Sequence, residues 1–420
     1  MPGARFLRAF DALQGARRPR GRRAVLLEGF ADGLVLLAVV TRHQRLLGLP
    51  AASACWTSVS TVVATRALPA KAAVWFSAFF NFAAVFIVGT AVANTVAKTV
   101  KPGVTGVAVI FAALFAAIVW NYATWWVGMP SSSSHALIGG LVGAGLAAGG
   151  IDAISWPSVQ KTVIAIVASP LIAFGIAFLA MFLVAALRNV FKLDDNAKQF
   201  KWLQLVSAGA VSFGHGANDA QKTMGVIAAL LVGTGHLAVG ADGNIGVPTW
   251  VEFSAYGAIA LGTVWGGWKI IETMGLKITT LHASSGVAAN IGAVTSIFGA
   301  TGLGVPISTT HAAASSVAGA GVASGMGINL KVVGEMVLAW VVTLPTTIVL
   351  AFGIFKVTQL PGAAGWIGVG ILIAIAGGLI IYAMTHSIGA DDVEAEIPDE
   401  NVLKLPVPAQ PHLEGHGPAA

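Results

Sequence analysis

Apolar runs long enough to cross a bilayer, with very little charge between them, limit what this chain can fold into. Only 10% of its 420 residues are charged and 56% are apolar, whereas a soluble domain carries roughly a quarter charged residues. A soluble core of this size would lack the polar surface to stay dissolved. A spanning helix needs about 20 apolar residues, because roughly 30 Å of hydrocarbon divides by 1.5 Å of rise per residue. Residues 72–97, 104–127, 159–187, 332–355 and 366–384 reach about that length. Residues 26–40, 51–64, 203–213, 217–232, 251–267 and 285–300 are weaker or interrupted candidates. Two more apolar stretches, 131–150 and 308–325, start at a proline and a hydroxyl cluster. The expectation is an all-α polytopic membrane protein with about 10–12 membrane segments, some of them half-length.

Charge is unevenly placed. Arg5, Arg8, Arg17, Arg18, Arg20, Arg22, Arg23, Arg42 and Arg45 crowd the start, while Asp391, Asp392, Glu394, Glu396, Asp399, Glu400 and Glu414 face one Lys404 near the end. A basic arm can bind nucleic acid or acidic lipid. Beside a hydrophobic bundle it marks a cytoplasmic flank, so no nucleic-acid partner is expected, and no cleaved signal sequence either. The polar segment 188–201, with Arg188, Lys192, Lys198 and Lys201, divides the bundle and is expected on the cytoplasmic side. Residues 389–420 are expected to be a disordered acidic tail. One cysteine, Cys55, excludes an intrachain disulfide and a Cys-rich metal site.

The strongest signal is internal. Pro130-Ser131-Ser132-Ser133-Ser134-His135-Ala136 recurs as Pro306-Ile307-Ser308-Thr309-Thr310-His311-Ala312, 176 residues later and across the central linker. Both copies continue into Gly- and Ala-rich apolar runs. Proline suits the first turn of a helix, where its missing N–H costs nothing. Ser and Thr cap that turn yet leave several backbone N–H groups free. If such a helix starts inside the membrane, those donors and the positive end of its dipole face a buried anion. Two such tips, pointing at one another, would enclose a tetrahedral oxyanion near the midplane. Neutral hydroxyls also favour release. The bland alternative is that the hydroxyls only cap helices and bond neighbouring carbonyls. His135 and His311 can each bond a carbonyl, or move protons; their separation is not a zinc signature.

A second polar cluster runs Ser212-Phe213-Gly214-His215-Gly216-Ala217-Asn218-Asp219-Ala220-Gln221-Lys222-Thr223-Met224-Gly225, between apolar neighbours. Ionisable groups at that depth are expensive, about 2.5–3.5 kcal/mol each by insertion scales, and mark a pathway or site. Gly214 and Gly216 would permit an unwound stretch whose carbonyls, with Asp219, bind a cation. Asp219 can equally carry a proton. Lys222, three residues on, shares its helical face and can pair with it. Lys269 and Glu272 have the same spacing and are expected to pair at the interface. Asn81, Asn94 and Asn121 are candidates for bonds between helices.

In these residues the sequence resembles the inorganic phosphate transporter family. Gly216-Ala217-Asn218-Asp219 with Lys222-Thr223-Met224-Gly225 matches that family's second-half signature, and the two proline–hydroxyl–histidine segments match as well. The resemblance runs from about residue 58 to 384. It implies phosphate uptake by cation symport across the cell membrane, an inverted repeat (58–187 and 202–388), two opposed re-entrant hairpins and a homodimer. It places the anion on Ser132, Ser133, Ser134, Ser308, Thr309 and Thr310, and the coupling ion on Asn218 and Asp219. His135, His311, Lys222 and Thr223 would support them, with no cofactor. The Gln-Lys-Thr-Met-Gly version is similar to bacterial carriers that use H+ rather than Na+ and accept neutral metal–phosphate complexes.

One departure is plain. Where the family has a first-half motif, usually His-Asp-x-Ala-Asn, this chain has Ser53-Ala54-Cys55-Trp56-Thr57. Residues 1–57 are therefore expected to be either a misread or a decayed first helix. A carrier for sulfate or another tetrahedral oxyanion is the alternative function; sulfate carries no proton for an acceptor such as Asp219. A hydrolase is disfavoured, because hydroxyl and histidine share one short helix with no acid beside them.

Overall fold

The computed structural model describes residues 55–127, 129, 131–264, 267–386 and 389–397, with side chains omitted at 55–57 and 383–384. The expectations for residues 1–54, for Pro130 itself and for 398–420 lie outside the described residues. The chain is helical: α1 (Cys55–Ala64), α2 (Ala70–Ala83, prolonged by a tight turn Ala84–Phe86), α3 (Ala91–Ala97), α4 (Val107–Trp126), α5 (Ser133–Gly149) and α6 (Trp156–Phe191) precede the centre. After it come α7 (Lys198–Gly233), α8 (Thr249–Val264), α9 (Trp268–Glu272), α10 (Ala283–Gly302), α11 (Thr309–Ala323), α12 (Leu330–Thr358), α13 (Ala363–Thr385) and α14 (Ala390–Ala395).

Among the described residues, four helices are long and apolar enough to span a membrane: α4, α6, α12 and the Ala363–Tyr382 part of α13. The α2–α3 pair, bent by 88°, adds a fifth if counted as one span. The chain is thus a multi-pass membrane protein, though among the described residues fewer helices pass than the 10–12 segments expected of the whole chain. The difference has a physical cause. The 36-residue α7 is long enough but carries the buried row around Asp219 and Lys222. In α10, Ser, Gly, Asn and Thr dilute the Val and Ile. Such helices are shielded by their neighbours rather than by lipid.

The 176-residue spacing extends beyond the motif. It carries α4 onto α10, and the start of α5 onto the start of α11. Each short helix lies on the long helix of the opposite half. Gly143 of α5 faces the Ile348 carbonyl of α12, and Gly319 of α11, 176 residues on, faces the Phe174 carbonyl of α6. A Cβ at either glycine would run into backbone, so small residues let these helices touch. Hydroxyls and amides join the remaining helices: Ser58 bonds Ser77 at 3.1 Å and Ser212 at 3.0 Å, Thr61 donates to Asn290 at 3.1 Å, and Thr65 donates to Gln204 at 2.8 Å. Asn81 fits this role, reaching Ser77 and Thr263. Asn94 instead ties a loop, donating to the Ile245 carbonyl and accepting from its N–H.

Much of the polar segment 188–201 is helical, since α6 runs on to Phe191 and α7 starts at Lys198. The short turn between them holds α10. Both Asp195 oxygens accept from Arg188 Nη1, at 2.8 and 3.0 Å, and Oδ1 accepts from Ser284 Oγ at 2.6 Å; Asn196 Oδ1 accepts from the Ala283 N–H at 3.0 Å. Partial burial pushes the Asp195 carboxyl up, but the Ser284 bond and the Arg188 charge more than offset it, leaving it below its ordinary 3.8. A lowered folded value means stability that is present above 3.8 and lost as pH falls through the folded value. Asp195→Ala is expected to cost about 1 kcal/mol, a small value because the pair is a third exposed. Thermal unfolding in detergent at pH 7 and pH 3 checks it: the acid-induced loss should flatten in the variant.

Two expectations are corrected here. Glu272 pairs with Lys277 rather than Lys269, because a wider helical turn, Thr273–Lys277, brings Lys277 back over it; Lys269 donates to the Trp126 carbonyl. The acidic tail is not disordered from its start. The helix α14 docks on α2, with Glu394 accepting from the Ala70 N–H at 2.6 Å and Asp391 pairing with Lys71 at 3.0 Å. A carboxylate at an uncapped helix N-terminus is favourable, which is why acidic sequence there orders.

Candidate functional site

The two hydroxyl-rich tips meet. Ser132 is the N-cap of α5 and accepts from the His135 N–H at 3.1 Å; Ser308 is the N-cap of α11 and accepts from the His311 N–H at 3.2 Å. This is the same cap twice, and it consumes one orphan donor of each helix. No described bond takes the N–H of Ser133, Ser134, Thr309 or Thr310. Between the tips, Ser134 Oγ donates to the Ile307 carbonyl at 2.7 Å. The His135 and His311 rings lie 4.6 Å apart, and His311 stacks on Trp340 at 3.9 Å.

The middle of α7 runs past this junction. Asp219 and Lys222 are 3% and 4% exposed, so neither charge is solvated by bulk water. Their Oδ1–Nζ distance is 2.6 Å, the i,i+3 pairing the sequence suggested. Lys222 Nζ also donates to Ser134 Oγ at 2.5 Å and to the Ile307 carbonyl at 2.6 Å. Thr309 Oγ1 approaches both Asp219 oxygens, at 3.4 and 3.5 Å. The carboxylate belongs to the second tip and the ammonium bridges both. Asn218 shapes the second tip from outside: its amide donates to Thr301 Oγ1 at 3.0 Å and the Val305 carbonyl at 3.3 Å, and its oxygen accepts from the Ile307 N–H at 3.3 Å.

Of the predicted residues, Ser134, Asn218, Asp219, Lys222 and Thr309 form one connected cluster, and Ser132, His135, Ser308 and His311 frame it. Thr310 is buried at the second tip; Ser133 at the first tip and Thr223 on α7 are half-buried, and no described bond ties Thr223 to a tip. One expectation fails. Around Gly214 and Gly216 the helix does not unwind; α7 is continuous from Lys198 to Gly233. Those glycines allow close packing instead: Gly216 lies against the Asn81 backbone of α2 and Gly214 against the Phe298 ring of α10.

Sequence reasoning missed three participants. The Ile307 carbonyl has no side-chain signature. His215 lies one turn before Asp219, with Nε2 3.5 Å from its Oδ2, a spacing that was legible. Gln221 accepts from the Val92 and Ala93 N–H groups at 2.8 and 3.4 Å, capping α3. Near the turn that leads into the second tip is a cavity of about 980 Å³, lined by Asn94, Lys98, Lys161, Asp242 and Gly304 among others.

Residues 52–351 match the phosphate transporter family. A protein of Rhizobium meliloti (strain 1021) named "Probable low-affinity inorganic phosphate transporter" is 45% identical over 321 residues, covering 75% of this chain and 93% of its own. One of the same name from Bacillus subtilis (strain 168) is 40% identical over 297 residues, covering 70% and 88%. Among solved structures, one named "The sodium-dependent phosphate transporter" superposes with a TM-score of 0.62 at 24% identity, covering 75% of this chain and 98% of that one. The fold is shared with that protein. With a family match over most of its length and relatives of this similarity, the chain belongs to the phosphate transporter family.

Proposed function

We propose that the chain carries inorganic phosphate across the membrane by cation symport, with H+ as the cation, and that the anion is held between the tips of α5 and α11. One observation carries this reading: two identically capped helix N-termini, from segments 176 residues apart, converge on a buried carboxylate and ammonium. Free N–H groups and helix dipoles draw an oxyanion, while hydroxyls of Ser133, Thr309 and Thr310 complete its hydrogen bonding and Ser134, whose proton goes to the Ile307 carbonyl, lines the site with its N–H. The donors are mostly neutral, so the anion and its neutral complex with a divalent metal both fall within their range. The reciprocal packing of α5 on α12 and of α11 on α6 supports an inverted repeat whose short helices are the inner arms of re-entrant hairpins.

Asp219 favours phosphate over sulfate, because hydrogen phosphate keeps a proton that a carboxylate can accept. The resemblance of Gln221-Lys222-Thr223-Met224-Gly225 to bacterial carriers supports H+. The sodium dependence in the name of the structural neighbour supports Na+ as the second reading.

Reconstitution decides. Purified chain in proteoliposomes, with pH and Na+ gradients imposed separately, should take up radiolabelled phosphate saturably under the pH gradient. Sulfate in about tenfold excess should not compete. A chain with His-Asp-x-Ala-Asn placed at 53–57 runs alongside, since the first-half carboxylate is missing. No uptake by either chain, or displacement by sulfate, overturns the reading. Ser133→Ala and Thr309→Val should each raise KM about tenfold, the worth of one hydrogen bond to a charged ligand, with little change in folded yield.

A further inference from the structure

We propose that the Lys222 ammonium is a tethered cation built into the coupling site: it fills the oxygen cage that would otherwise hold Na+, and so makes transport independent of Na+. This rests on the phosphate-symport reading above and names the residue that sets its ion. Among the described residues, Lys222 Nζ bonds three kinds of oxygen: the Asp219 carboxylate at 2.6 Å, the Ile307 carbonyl at 2.6 Å and the Ser134 hydroxyl at 2.5 Å. Carboxylate, carbonyl and hydroxyl oxygens are the ligand set of a hard cation. They come from α7, from the turn before α11 and from α5, so whatever cation sits there ties both tips to the carboxylate.

An ammonium has only protons to offer and no acceptor, which suits a cage of oxygens. Ser134 fits the scheme twice, accepting from Lys222 while its own proton goes to the Ile307 carbonyl. The cluster is also balanced in charge. Asp219 supplies one negative charge and Lys222 one positive, in a place 3–4% exposed. A Na+ entering this cage would meet a fixed like charge at contact distance, with little water to screen it. His215, His135 and His311 surround the same point from α7, α5 and α11 and offer no second carboxylate. Among the described residues no cluster of three or more His, Cys, Asp or Glu offers an alternative metal site. Removing the ammonium leaves a carboxylate, a carbonyl and a hydroxyl facing an open space, which is a Na+ site.

The test compares wild type with Lys222→Ala and with Lys222→Ala/Asp219→Asn. In proteoliposomes, wild-type phosphate uptake should be unchanged when Na+ is replaced by choline. The single variant should take up phosphate only with Na+, stimulated about tenfold or more; the double variant should show no Na+ response. Because the single variant can be stable yet slow, Na+ binding is read separately, as the Na+-dependent rise of Tm in detergent. That rise should be present in Lys222→Ala and absent in wild type and in the double variant. A Na+ requirement or a Na+-dependent Tm in wild type overturns the proposal. So does a Lys222→Ala protein that shows no Na+ effect in either measurement. Failure of all proteins to move phosphate would strike the transport reading, while the Tm series would still report on the cage.

Discussion

Asp219→Asn is expected to reduce phosphate uptake to the level of protein-free vesicles. The substitution removes the only carboxylate in the described cluster and leaves the Lys222 ammonium buried at 4% exposure without its counter-charge. Breaking one side of a buried pair costs about 3–5 kcal/mol, because the remaining ion has lost its water and its partner. Loss of uptake alone would therefore not separate a transport role from a folding defect. The double variant Asp219→Asn/Lys222→Met does. Removing both charges takes away the uncompensated ion, so Tm should recover most of the lost stability, while uptake stays at background because the tips no longer share a carboxylate. Recovery of uptake in the double variant would make Asp219 and Lys222 a neutral structural pair. Wild-type uptake in Asp219→Asn would remove the carboxylate from the mechanism.

How far the sequence could be read depended on whether an interaction was local. The repeated proline, hydroxyls and histidine announced two helix starts, because N-capping is written within four residues; Ser132 and Ser308 cap as that pattern requires. The pairing of Asp219 with Lys222 was legible for the same reason, since three residues along a helix bring side chains to one face. What Lys222 does next was not legible. Its bonds to Ser134 and Ile307 cross 88 and 85 residues, and a backbone carbonyl leaves no mark in a sequence. Glycine misled because it has two uses. In Gly214 and Gly216 its conformational freedom suggested unwinding, yet the helix holds and it is the missing side chain that matters. Hydropathy rated 203–213, 217–232 and 285–300 as weaker stretches for a physical reason: they lie in α7 and α10, which are more polar and pack against one another.

Gly216→Ala, a change of one methyl group, is expected to destabilise the protein by about 1–3 kcal/mol and to abolish uptake. The new Cβ would fall on the Asn81 carbonyl and Cα of α2, which are backbone atoms that cannot rotate away. Either α7 moves off α2 or the helix bends, and both displace Asp219, less than one turn further on. The control is Gly299→Ala. Gly299 also lies inside a helix of the same bundle, α10, but a Cβ there meets nothing within 4 Å. At that position alanine only removes the backbone freedom of the unfolded chain, so Tm should hold or rise by the equivalent of about 0.5–1 kcal/mol, with uptake unchanged. Helix propensity favours alanine at both sites by the same amount, so an opposite sign isolates the contact with α2. Equal effects at 216 and 299 would mean that α7 and α2 do not approach this closely, and the position of Asp219 between the two tips would then lose its support.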